Sequence, residues 1–281
     1  MSVRIVCDSG SDIVEAHDNL TVLPLTIVFG DTEYRDGVDL THERFYELLV
    51  ESDELPKTGQ VTPYAFSQAF DEAAAAGDEV VCITLSSRLS GTNQSAATAA
   101  RQAACHVRVV DSLNVCVGER VQVEYALRLA RMGWDADAIA DELERKREYV
   151  RVIALLDTLE YLRRGGRISA AAAGVGTMLS IKPAITVTDG LVDILGKARG
   201  SKNGRNMLNQ YVEKHGGIDY DMPLSLGYAG MDDKLLRKYI LDSAHLWEGK
   251  VEKLPISQVG GTIGTHVGPG AIALGYFSPE E

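Results

Sequence analysis

The sequence predicts an α/β protein in two domains, the first built on a parallel sheet and the second on a mixed or antiparallel one. Three observations predict it. Short β-branched runs alternate with helical patterns through the first half, which is how parallel α/β sheets are written in sequence. The chain has 281 residues, near or beyond the size at which one hydrophobic core stops growing. After about Asp157 the texture changes, with Gly165-Gly166-Arg167, Gly174-Val175-Gly176 and Gly260-Gly261-Thr262-Ile263-Gly264 set among longer-spaced strands and helices. The expected domains are residues 1–157 and 158–281.

Taken in order, Val3 to Asp8 and Leu20 to Phe29 read as strands. Thr41 caps a helix whose Phe45, Leu48 and Leu49 share one face, and Thr62-Pro63 starts another that Gly77 ends. Glu79 to Leu85 reads as a buried strand. It leads through Ser86-Ser87-Arg88-Leu89-Ser90-Gly91-Thr92 into an Ala-rich helix from Asn93 to Ala104, and then to a strand from Val107 to Asp111. Helices from about Cys116 to Met132 and Asp135 to Tyr149 precede a strand from Arg151 to Leu156. In the second half the strands expected are Ala184 to Thr188, Leu191 to Leu195, Leu224 to Tyr228, Lys250 to Pro255 and Ala271 to Phe277. Asp189-Gly190 between the first two signals a hairpin. The first domain is thus Rossmann-like in texture.

Composition narrows the function. Hydrophobic residues at 45% and charged residues at 24% suit a packed core rather than disorder. A formal net charge of −12 argues against non-specific binding to nucleic acid or to acidic lipid surfaces, so any anion site must be local. The start, Met1-Ser2-Val3-Arg4-Ile5-Val6, runs into a strand without a secretory pattern, and no apolar run suggests an integral membrane segment. Cys7, Cys82, Cys105 and Cys116 have no Cys-x-x-Cys spacing and read as structural thiols of a cytoplasmic protein. Six scattered His residues give no metal signature, and neither metal nor cofactor is expected.

The chemistry gathers where loops leave the carboxyl ends of parallel strands and face the free amides of helix starts. Ser86 to Thr92 lies at such an end. A small hydroxyl residue, Ser90, followed by Gly91 allows close approach, and the helix start adds unpaired amides suited to a carboxylate or phosphate. A plain helix cap by Ser90 accounts for the same residues. Asp8-Ser9-Gly10-Ser11-Asp12 is a second loop at the same sheet end, or an ordinary turn. Lys57-Thr58-Gly59-Gln60 brings a further hydroxyl, Arg167 offers a guanidinium after a flexible turn, and His266 sits in a Gly-rich loop from Gly264 to Gly270.

Together these segments resemble the DegV family. The resemblance runs from Asp8-Ser9 through Leu89-Ser90-Gly91-Thr92 and Val110-Asp111-Ser112 to Thr158-Leu159-Glu160-Tyr161-Leu162-Arg163-Arg164-Gly165-Gly166-Arg167-Ile168-Ser169, and ends at His266-Val267-Gly268-Pro269-Gly270. It covers nearly the whole chain. It implies a non-catalytic two-domain protein that encloses one long-chain fatty acid between its domains, tail buried and carboxylate near the interface. It further implies hydroxyl donors to the carboxylate at Thr58 and Ser90, with Gly91 beside them, His266 approaching from the second domain, and Arg167 near the mouth. The bound acid would be presented to a separate ATP-dependent fatty acid kinase that makes the acyl phosphate. The sequence departs from the family pattern at Gly59, at Val61-Thr62, at Asn93 and at Glu119-Arg120.

Two other readings use the same residues. A serine-dependent acyl hydrolase would take Ser90 as nucleophile and His266 as base, but there is no Gly-x-Ser-x-Gly elbow. A nucleotide-binding domain would need a Gly-x-Gly-x-x-Gly or a Gly-Lys-Ser/Thr loop, and neither is present.

Overall fold

The computed structural model describes residues 2–168 and 181–280. Ser169 and Gly174-Val175-Gly176, singled out above, lie outside the described residues. In chain order the first strands are β1 (Val3–Asp8), β2 (Leu20–Leu23), β3 (Thr26–Phe29), β4 (Thr32–Arg35), β5 (Lys57–Gly59), β6 (Glu79–Thr84) and β7 (Val107–Asp111). The order β2-β1-β6-β7 makes a parallel sheet, as the alternating pattern requires. Ile5, Val6, Val81 and Cys82 are wholly buried, as expected of strands covered on both faces.

Helix α1 (His42–Glu51) packs away from this sheet, through Phe45, Tyr46 and Leu49, and around the sheet run α2 (Pro63–Ala76), α3 (Thr92–Ala100), α4 (Val117–Arg131) and α5 (Ala136–Lys146). Their ends follow local chemistry. Thr41 accepts from the amide of Arg44, Thr62 from that of Ala65 ahead of Pro63, and Asp135 from that of Ala138. Gly77 closes α2 in the left-handed conformation. Helix α4 is buried along most of its length. Its Val121 and Ala126 join the core of the parallel sheet, whereas Val117 belongs to the cluster against the second sheet.

That second sheet contains β8 (Val150–Leu155), β9 (Ile181–Thr188), β10 (Leu191–Arg199), β11 (Leu224–Tyr228), β12 (Ile256–Gln258) and β13 (Ile272–Phe277). Its order is β10-β9-β8-β13-β11-β12, antiparallel except for the parallel β11–β12 pair, so it is mixed. In the same half of the chain lie α6 (Glu160–Arg164), α7 (Ser201–Lys214), α8 (Lys234–Asp242) and α9 (Gly261–Val267), of which α7 and α8 pack on this sheet and α9 packs on β3, β5, α1 and α6. Strand β8 precedes Asp157 yet pairs with β9 and β13, so the division between sheets falls before Val150.

Two expected strands are corrected and one expected hairpin is found. The span from Leu20 to Phe29 is two strands, because Pro24 cannot donate to a ladder and the amide of Leu25 turns to Ser9 Oγ at 3.0 Å. Strand β3 then joins β4 and β5 in a separate three-stranded antiparallel sheet. The strand expected at Lys250 to Pro255 lies instead at Ile256–Gln258. The Asp189-Gly190 hairpin is present, with φ of 48° and 77° at its two central residues, the pairing of positive values that suits the twist of the flanking strands.

Candidate functional site

A cavity of about 400 Å³ opens between the loops of the parallel sheet and the face of the mixed sheet. Thr58, Ser90, Gly91, Arg167 and His266 all line it, although they are spread over more than 200 positions of sequence. Val152 and Ala154 of β8, Ile185 of β9 and Ala273 of β13 supply its apolar wall.

Each polar residue arrives by a separate element. Thr58 lies on β5, paired in register with Ile27 of β3. His266 lies in the last turn of α9, not in a loop as its glycines suggest, and its Nε2 is 3.0 Å from Thr58 Oγ1. Gly261 and Gly264 are needed in α9 for close packing. A Cβ at Gly261 would stand 2.4 Å from Ile27 Cδ1, and one at Gly264 2.6 Å from Phe45 Cε1. Tertiary packing thus overrides the low helix propensity of glycine.

Ser90 sits just before α3. Its hydroxyl shares a hydrogen bond with Thr92 Oγ1 at 2.9 Å and accepts from the Thr92 amide at 3.3 Å. It therefore braces the helix start and lines the cavity at once. Gly91 is the N-cap residue, and a Cβ there would fall 2.0 Å from Gln60 Oε1, so a side chain at this position would displace the Gln60 amide. Gln60 in turn donates to Ser95 Oγ at 2.8 Å. Arg167 donates through Nε to the Leu89 carbonyl at 3.3 Å and through Nη1 to the Gly165 carbonyl at 2.7 Å. Two main-chain oxygens from separate segments hold the guanidinium in place.

Burial, and secondarily the positive charge of Arg167, push the His266 pKa down to about 4. The imidazole is therefore neutral near pH 7. Its Nδ1 has no partner among the described residues and faces the Cα of Gly165, where a Cβ would lie 2.1 Å away. A nucleophile–base–acid relay is not assembled: Nε2 meets Thr58, the Ser90 hydroxyl is engaged with Thr92, and no carboxylate orients Nδ1 among the described residues.

The loop Asp8 to Asp12 does not line the cavity. Asp8 Oδ2 accepts from the Leu85 amide at 2.9 Å and ties the end of β1 to the end of β6. Burial raises the Asp8 carboxyl to about 7 and the Asp12 carboxyl to about 6, and pushes Glu119 of α4 up as well. Asp36 escaped the sequence reading altogether. Arg35-Asp36-Gly37 reads as a turn, and the partners of Asp36 lie 225 and 226 positions away, at Gly261 and Thr262. Among the described residues no group of three or more His, Cys, Asp or Glu is placed to hold a metal ion, and no helix is long and apolar enough to cross a membrane.

Known proteins share this fold. The sequence model described as "Uncharacterised protein, DegV family" matches residues 2–279. A DegV domain-containing protein of Deinococcus radiodurans is 34% identical over 281 residues, covering 98% of each chain. A Thermus thermophilus structure reported as fatty acid binding of a DegV family protein superposes with a TM-score of 0.87 at 31% identity, covering 99% of this chain and 100% of that one. The Bacillus subtilis structure of DegV, described as a fatty acid binding protein, gives 0.85 at 27% identity, with 99% and 100% covered. On the extent of these matches, the chain belongs to the DegV family.

Proposed function

We propose that this protein binds one long-chain fatty acid in the 400 Å³ cavity, with its carboxylate at the Thr58–Ser90–His266–Arg167 end, and presents it to an ATP-dependent fatty acid kinase. It is a substrate carrier of the cytoplasm and performs no catalysis itself. The observation that carries the reading is a largely apolar cavity lined also by two hydroxyls, a neutral imidazole in contact with one of them, and a guanidinium. The two fatty-acid-binding relatives above support it.

The energetics divide along the cavity. Burying a chain of about sixteen carbons at ~0.8 kcal/mol per methylene gives a gross term above roughly 10 kcal/mol. An unpaired carboxylate taken from water costs several kcal/mol, so the polar end offsets desolvation and fixes orientation. Two main-chain carbonyls share the Arg167 guanidinium, and a carboxylate beside it would be the first anion it meets in the cavity. The two domains proposed, divided before Val150 rather than at Asp157 so that β8 stays with its sheet, each contribute to the lining.

Native mass spectrometry of freshly purified protein, followed by lipid extraction, tests the reading. A bound fatty acid is expected. A ligand-free protein that also refuses added palmitate overturns it.

A further inference from the structure

We propose that Asp36 and Asp12 are positioning residues for the carboxylate site, acting through the start of α9 on His266. The inference rests on the carboxylate reading above and adds to it the part of the chain that sets the imidazole in place.

Helix α9 has seven residues, too few to hold itself by propensity, and its N-cap is Gly260, which has no side chain to cap with. Its leading amides are taken by distant carboxylates instead. Gly260 N donates to Asp12 Oδ1 at 2.8 Å, Gly261 N to Asp36 Oδ1 at 3.0 Å, and Thr262 N to Asp36 Oδ2 at 3.0 Å. Asp36 thus spans two successive amides with both of its oxygens, and Ser9 Oγ donates to Oδ2 at 3.2 Å. Both side chains are buried, at 3% and 1% exposure, so solvent does not dilute these contacts. Negative charge at a helix start is also favoured by the helix dipole.

The rest of the packing turns this cap into a device for placing His266. Sideways motion of α9 is blocked where Gly261 and Gly264 rest on Ile27 and Phe45. Tyr46 donates its hydroxyl to the Val259 carbonyl at 3.0 Å just ahead of the helix. What remains is motion along the helix axis and rotation about it, and the two carboxylates fix both. Ile27 is also the register partner of Thr58. The strand that α9 rests on therefore locates the hydroxyl that the far end of α9 meets, and the 3.0 Å Thr58–His266 contact depends on the axial setting of the helix. By contrast, Thr265 within α9 only returns its hydroxyl to the Gly261 carbonyl at 2.8 Å, a contact that holds the helix but does not place it.

The test uses the full chain freed of lipid, and calorimetry with palmitate and with methyl palmitate. In Asp36→Asn the preference for acid over ester should fall about tenfold, the scale of one lost charged hydrogen bond, with ester affinity within about twofold of wild type. Asp12→Asn, which touches one amide rather than two, should move the same ratio in the same direction by less, and it decides the matter if Asp36→Asn does not fold. In a His266→Gln background Asp36→Asn should leave the ratio where His266→Gln put it. An unchanged ratio, equal weakening toward both ligands, or full additivity with His266→Gln overturns the proposal. A wild-type protein that does not prefer the acid sinks the carboxylate reading itself, and this proposal with it, before any variant is compared.

Discussion

The two ends of the cavity are built on opposite plans. The wall from β8, β9 and β13 is made of residues on regular strands, with Val152 and Ala154 at alternate positions of β8 beside Ile185 and Ala273, and its shape is set by sheet geometry. The polar end has no local order: Thr58, Ser90, Arg167 and His266 come from four separate elements and meet only in three dimensions. Polar atoms on the wall are tied back to the chain, as Thr186 Oγ1 is to the Val152 carbonyl at 2.8 Å. At the other end Arg167 and His266 present groups to the cavity itself. The difference teaches that strength of binding and choice of ligand are separable here, the first residing in the sheet and the second in the loops and the short helix.

The largest effect should come from the wall. Ala154→Phe fills space that a tail needs and should weaken palmitate and methyl palmitate together by on the order of a hundredfold, the loss of about three buried methylenes. Titration calorimetry would show it, and selective loss of the acid alone would break the division. Next, Thr58→Val, Ser90→Ala and Arg167→Met should each weaken palmitate about tenfold and leave the methyl ester nearly untouched. Equal losses for the two ligands would place these residues in the wall instead.

Two smaller effects sharpen the comparison through stability. Gly190 holds φ of 77° at the tip of the β9–β10 hairpin, whose strands line the cavity, and a Cβ there would lie 2.5 Å from Ser86 Oγ. Gly190→Ala should therefore cost about 1–2 kcal/mol in denaturant unfolding, and an unchanged midpoint would mean that the turn is not under this constraint. His266 supplies the pH signature of the polar end. Its folded pKa of about 4 lies below the unfolded value near 6.5, so its contribution is intact above about 6.5 and is lost as pH falls toward 4. Asp8 and Asp12, raised to about 7 and about 6, act in the opposite sense and favour folding as pH falls through those values. Their terms cancel in the difference between His266→Gln and wild type. That difference should move in the variant's favour by up to about 3 kcal/mol between pH 6.5 and 4, and a flat difference would show that His266 is not buried as described.

Much of the fold was legible because its signals are local. Thr62-Pro63 and Gly77 bracket α2, Asp189-Gly190 makes its hairpin, and the β-branched runs at β1 and β6 make parallel neighbours. What escaped depends on partners far along the chain. Strand β4, Thr32–Arg35, is short, polar and largely exposed, and only its pairing with β3 makes it a strand. Helix α9 is hidden by glycines that its packing against Phe45 demands. Local features singled out Thr58, Ser90, Gly91, Arg167 and His266, each with an ordinary structural explanation beside it, and only the family resemblance joined them into one site. Asp36, which belongs to no motif read from the sequence, was not reached at all.

Carbon-13 NMR of carboxyl-labelled palmitate bound to the lipid-free protein asks whether a fatty acid carboxylate sits against Thr58 and Ser90. One bound carboxyl resonance, distinct from free palmitate, is expected, and it should shift in both Thr58→Val and Ser90→Ala. A bound resonance unmoved by either substitution would contradict that placement.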